Sequence, residues 1–141
     1  MHLATQQFIN VLEEKELKYT YQDTTESGKD RLLVNFKGDN LESISINFFF
    51  SDDNEDVGLR IFNIAKIPAG KTDKILHQLN ALNNKYRFAK FCLDTNDNTV
   101  QLEMDTPFRG YEIGEVCYEI LLRALQICDD SYPELARAIW A

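Results

Sequence analysis

The chain has 141 residues, with 15 Lys and Arg against 23 Asp and Glu for a net charge of −8, 44% hydrophobic residues, and only six Gly and three Pro. That length suits one domain, residues 1–141, large enough to close a core without disulfides or metals, and its Phe, Leu and Ile content argues against disorder. The negative excess disfavours nucleic acid and anionic membrane surfaces, and no apolar run approaches the roughly 18–20 residues that cross a bilayer.

Along the chain, Thr5 to Leu17 reads as an amphipathic helix, with Phe8, Val11 and Leu12 on one stripe and Gln6, Glu13 and Lys15 opposite. Glu13 and Glu14 stand where a signal peptide would need an apolar stretch, so the expected compartment is the cytoplasm. The period then changes. Tyr19 and Tyr21 alternate with polar neighbours in a short strand, ended by the turn-prone Asp23–Gly28 stretch. A second strand over Arg31–Lys37 points Leu32, Val34 and Phe36 to one face, and Gly38-Asp39-Asn40 is a turn. From Ser43 to Phe50 the residues Ile44, Ile46, Phe48 and Phe50 face inward, and Ser43, Ser45 and Asn47 outward. An acidic turn, Ser51–Asp56, leads to a fourth strand, Val57–Ile64.

These connections are too short for parallel crossovers, so the first half is an antiparallel meander. A loop over Ala65–Gly70 opens a helix from Thr72 to Tyr86 with Ile75, Leu76, Leu79, Leu82 and Tyr86 on its apolar side. Strands Phe88–Asp94 and Thr99–Asp105 flank the turn Thr95–Asn98, with Val100, Leu102 and Met104 inward. A long helix is expected from Tyr111 to Cys128. A separate last helix is expected from Ser131, where Ser131 and Glu134 form a capping box and Pro133 sits in the first turn, followed by Leu135, Ile139 and Trp140. The order α-ββββ-α-ββ-α(α) makes this an α+β fold, one antiparallel sheet of about six strands packed against helices.

Catalytic and metal signals are thin. Cys92, Cys117 and Cys128 form no CxxC or His–Cys cluster and read as small hydrophobes in a reducing cytosol. Ala65 to Thr72 imitates a phosphate-binding loop and ends in Gly70-Lys71-Thr72, but Ala65 replaces the first Gly and Pro68 removes a cradle N–H. The meander before it is also the wrong context. Asp52-x-Asn54-x-Asp56 and Asp94-x-Asn96-x-Asn98 resemble calcium loops, yet Val57 and Thr99 stand where Gly is needed, and Asn and Asp favour hairpin turns for local reasons. The two histidines, His2 and His77, belong to no nucleophile motif, although a pairing of His77 with Cys92 in space stays open. No metal or cofactor is expected.

More telling are apolar residues on the face that should be polar. Phe49 points opposite to Phe48 and Phe50, Leu33 points out from the second strand, and Phe62 and Ile64 share the outer side of the fourth strand with Gly58 and Arg60. Either helices cover both faces, or one face carries an apolar patch for a partner.

Several segments carry a family resemblance: Leu79-Asn80-Ala81-Leu82-Asn83, Phe88-Ala89-Lys90-Phe91, the hairpin Asp94–Asp105, and Cys128-Asp129-Asp130-Ser131-Tyr132-Pro133-Glu134-Leu135. Over residues 70–137 the chain resembles the YbjN family, described as a "putative bacterial sensory transduction regulator". The resemblance implies a fold like that of type III secretion chaperones, often dimeric, with no catalytic residue to carry over. The expected function is a non-enzymatic, cytosolic protein-binding module, a regulatory or chaperone-like adaptor and a homodimer. It would recognise a protein client or its own copy through Leu33, Phe49 and Phe62, with an acidic rim limiting other partners. The alternative is a small-molecule or nucleotide binder using the Gly70-Lys71-Thr72 helix start.

Overall fold

The computed structural model describes residues 1–23, 27–109 and 112–141. Residues 24–26 of the expected Asp23–Gly28 turn, and Tyr111 as the expected start of the long helix, lie outside the described residues. The elements run α1 (Leu3–Glu14), β1 (Thr20–Gln22), β2 (Asp30–Phe36), β3 (Ile44–Phe50), β4 (Asp56–Lys66), α2 (Thr72–Lys85), β5 (Lys90–Asp94), β6 (Thr99–Pro107) and α3 (Ile113–Trp140). All six strands join one antiparallel sheet in the order β1-β2-β3-β4-β6-β5. The architecture is the α+β fold expected, with three helices in place of four.

One side of the sheet is the core. Leu32, Ile46, Phe48, Phe50, Leu59 and Leu102 are fully buried there against Phe8, Leu12, Ile75 and Leu121 of the helices. Phe8 packs on Phe48 with ring centroids 4.7 Å apart, tilted as aromatic quadrupoles prefer. Alternation of buried and partly exposed residues along β2, β3 and β6 follows the period of two. No described helix is long and apolar enough to cross a membrane.

Helix α1 begins under a buried carboxylate: Asp30 accepts the His2 backbone N–H at 2.6 Å and the Thr5 hydroxyl at 2.7 Å. The helix stops at Glu14, short of the expected Leu17, because Glu16 turns left-handed at φ 58° and Leu17 N–H reaches back to the Leu12 carbonyl. Strand β4 runs on to Lys66, beyond the expected Ile64, across an irregularity between Ile61 and Ala65 where Asn63 takes φ 56°. That distortion turns Ile64 inward, against its expected outward place, and it is buried. On α2, Ile75, Leu79 and Leu82 supply the buried stripe, while Leu76, expected among them, is 47% exposed. Strand β5 starts two residues late, because Phe88 takes φ 70° and turns out to solvent.

The largest departure is at the end of the chain. Instead of two helices, α3 continues unbroken through Pro133, and Ser131 is buried without a cap bond. Proline at 133 cannot donate to the Asp129 carbonyl four residues earlier. Asn40 supplies the missing donor, its side-chain amide reaching that carbonyl at 3.0 Å. The Asp129 carboxylate in turn accepts the backbone N–H groups of Asp39, Asn40 and Leu41 at 3.0, 2.9 and 2.9 Å. The helix is thus stitched to the β2–β3 turn through both the carbonyl and the carboxylate of Asp129, one turn before its proline.

Candidate protein-binding surface

All three helices pack on the core side of the sheet. Among the described residues no element crosses the other side, so the choice between two covered faces and one open face resolves to the open face. The register sets its side chains in rows. One row runs Gln22, Arg31, Phe49, Gly58, Asp105; the next runs Thr20, Leu33, Asn47, Arg60, Glu103, Lys90.

Within this face Phe49 and Phe62 come together edge to face, centroids 6.4 Å apart. Phe62 is 45% exposed and Phe49 half-buried. Leu33 lies on the same face, half-buried, in the next row and on the neighbouring strand; it belongs to the surface but not to the aromatic pair. The guanidinium of Arg31 lies over the Phe49 ring at 5.6 Å and donates to Asn47 Oδ1 at 3.0 and 2.6 Å. Asn47, expected to face water, points outward yet is buried, because Arg31 covers it.

Arg60 completes the face. It grips Asp105 through two bonds of 2.6 and 3.2 Å and approaches Glu103 at 3.6 Å. The bond to Asp105 outweighs partial burial and raises the guanidinium pKa still further above its ordinary value. Half-exposed as the pair is, it contributes about 0–1 kcal/mol to stability. Beside it a groove of about 570 Å³ is floored by Gly58 and walled by Phe49, Phe62, Arg60 and Pro107. The rim is not the acidic one expected: Lys29 and Arg60 balance Asp56 and Asp105. Arg31, Gly58, Arg60 and Asp105 share the outward parity of Phe49 and Phe62, the signal by which the sequence could have grouped them.

Other sequence features separate in space. Lys71 of the phosphate-loop imitation gives its ammonium to the Ala141 carbonyl at 2.5 Å, and β4 before it pairs only antiparallel. In the acidic turns Asp53, Asp94 and Asp97 accept bonds from their own loops, and Asn54 Oδ1 accepts the Ala4 N–H. Among the described residues no group of three or more His, Cys, Asp or Glu is placed to hold a metal. His77 is exposed on α2, on the core side of the sheet, whereas Cys92 faces the open side, so the two do not pair. Burial pushes the thiols of Cys117 and Cys128 up to about 12, with Asp129 adding to the rise at Cys128. Cys92 is raised by burial and by Glu103.

Comparison with known proteins adds three findings. No curated protein matches the chain. A chain of the crystal structure of the ExsC–ExsE complex shares the fold, with a TM-score of 0.55 at 17% identity over 99% of this chain and 97% of that one. This is the type III secretion chaperone-like topology that the family resemblance implied. The model of the YbjN family, "Putative bacterial sensory transduction regulator", matches residues 6–137, reaching well before the segments that carried the resemblance. The chain belongs to the YbjN family.

Proposed function

We propose that the chain is a non-enzymatic protein-binding module, a regulatory or chaperone-like adaptor, that works through the open face of its sheet. One observation carries the reading: all three helices lie against one face, while Phe49 and a 45% exposed Phe62 stand in contact on the other beside a groove. Exposed aromatic pairs next to Arg side chains are the composition of protein interfaces, where aromatics supply area and charged neighbours supply register. Leu33 widens the apolar surface. The family's regulatory description supports the same reading, as does a fold relative captured as an ExsC–ExsE complex. The partner is a protein, and the assembled form is a homodimer. Nucleic acid is disfavoured by the charge of −8. Three free cysteines suit a reducing compartment, the cytoplasm.

The test is Phe49→Ser with Phe62→Ser, followed by light scattering over a concentration series and circular dichroism. The expected result is a folded variant whose association is weakened about tenfold or more, since each buried aromatic contributes about 1.5–3 kcal/mol. A folded variant that associates like the parent chain overturns the reading, and so does an unfolded one, which would make the two rings a support of the sheet rather than a surface held for a partner.

A further inference from the structure

Resting on that protein-binding reading, we infer that part of the partner enters the sheet itself, as a short extended segment of main chain seated in a gap between β3 and β4. Strand β3 pairs with β2 along its whole length, from Ile44 opposite Phe36 to Phe50 opposite Asp30. With β4 it pairs only from Asn47 to Phe50. Past Arg60, β4 keeps β6 as a partner at Ile61 and again at Ala65. Between them Phe62, Asn63 and Ile64 stand against the single residue Gln101 and pair with neither neighbour. The result is a gap inside the sheet, not at its edge. It holds about 280 Å³, with Ile44 and Ser45 on one wall, Phe62, Asn63 and Ile64 on the other, and Cys128 of α3 beneath.

What such a gap lacks is main-chain partners. Successive strand residues turn their N–H and C=O to opposite neighbours, so of Ile44 and Ser45 one is directed at β2 and the other into the gap. The irregular stretch of β4 lies across from it, where Asn63 at φ 56° breaks the alternation. Backbone groups within a fold require partners, and an extended chain offers donors and acceptors at the matching spacing, whereas a helix uses its own internally. The walls say which segment fits. Toward the core Ile44, Ile64 and Cys128 are buried, so the partner residue turned inward is small and apolar. Ser45 and Asn63 are exposed, so the residues on either side of it are polar. The gap closes at Asn47, whose side-chain amide donates to the Arg60 carbonyl at 3.3 Å, which limits entry to about 10 Å of extended chain. Phe62, 45% exposed, lines both this gap and the larger groove, so the two form one continuous surface.

The test follows the backbone amides of the isotope-labelled whole chain by NMR. Without a partner, one amide of Ile44 and Ser45 is expected to exchange with solvent as a loop amide does, although β3 is an interior strand; protection of both overturns the open gap. The probe is a peptide of alternating threonine and alanine, about five residues long and blocked at both ends. It is expected to move the Ser45, Phe62 and Asn63 resonances saturably at about millimolar concentration. An analogue N-methylated at alternate amides is expected to bind about tenfold more weakly, for the loss of one or two main-chain bonds. Deleting Asn63 and Ile64 leaves Phe62 alone opposite Gln101 and is expected to close the gap and abolish the shifts. Should that variant misfold by circular dichroism, Ser43→Trp at the exposed mouth is expected to weaken binding about tenfold. No saturable shift, equal binding of the N-methylated analogue, or folded variants that bind like the parent chain each overturns the inference. So does movement of the same resonances when the parent chain alone is diluted, which would seat a second copy in the gap. Phe49→Ser, which lines the groove and not the gap, is expected to keep the peptide bound. Loss of the peptide there would place it in the groove, so that the gap falls while the protein-binding reading stands.

Discussion

Asp129 shows how much one side chain can organise. Its carboxylate collects three backbone N–H groups from the β2–β3 turn, ninety residues away in the chain. Burial alone would raise its pKa, but the bonds from Leu41, Asn40 and Asp39 outweigh it and hold the group below the ordinary 3.8. Gly38 makes room for it: a Cβ at 38 would collide with the Asp129 carboxylate and sit 2.9 Å from the Leu41 carbonyl oxygen. A lowered native pKa means stability that is full above the unfolded-state value and lost as pH falls through the native one. Asp129→Asn is therefore expected to cost about 2 kcal/mol at pH 7, since charge-assisted bonds become neutral ones. That cost should shrink below pH 4 as the parent carboxyl protonates, which urea unfolding of both chains at the two pH values will report. In the sequence, Asp129 was visible only as part of a family segment. Nothing in its neighbours names a turn ninety residues upstream as its partner.

At the scale of elements, the continuity of α3 and the closure of the β5 edge both rest on asparagine amides. Asn40 replaces the donor that Pro133 lacks, which is why a proline expected to start a helix lies inside one. Asn40→Ala is expected to cost about 1 kcal/mol in the parent chain and less beside Pro133→Ala, where the helix regains its own N–H. Chemical denaturation of the four chains of that cycle measures the coupling, and simple additivity would deny the replacement. Asn83 of α2 acts similarly on the last strand, accepting the Phe91 N–H at 2.7 Å and donating to its carbonyl at 3.1 Å. It occupies backbone groups that an edge strand would otherwise offer to another chain. Both amides fall in or bind to the segments that carried the family resemblance, so those motifs are structural in purpose.

The whole molecule is two-sided, and its cysteines report the sides. Cys117 and Cys128 lie within the core, whereas Cys92 faces the open side of the sheet and is only half-buried. Under a thiol reagent at neutral pH, Cys92 is expected to label first and the other two only on unfolding, as mass spectrometry after timed quenching will show. Two or three thiols modified in the folded chain would contradict the arrangement of the layers.

How far the sequence went follows from the range of each interaction. Periods of two and 3.6 residues are local stereochemistry, so Ile44 to Phe50 announced its inner and outer sides, and Ile75, Leu79 and Leu82 their stripe. Connections too short to cross over announced an antiparallel sheet. The same parity placed Leu33, Phe49 and Phe62 on the outer face. Which face the helices would cover is not local, because either side of a meander with Phe49 outward could bury apolar surface. Nor is the meeting of Phe49 with Phe62, of Arg60 with Asp105, or of Asn40 with Asp129. Each depends on strand register or on helix docking between distant segments, and those are settled only when the whole core packs at once.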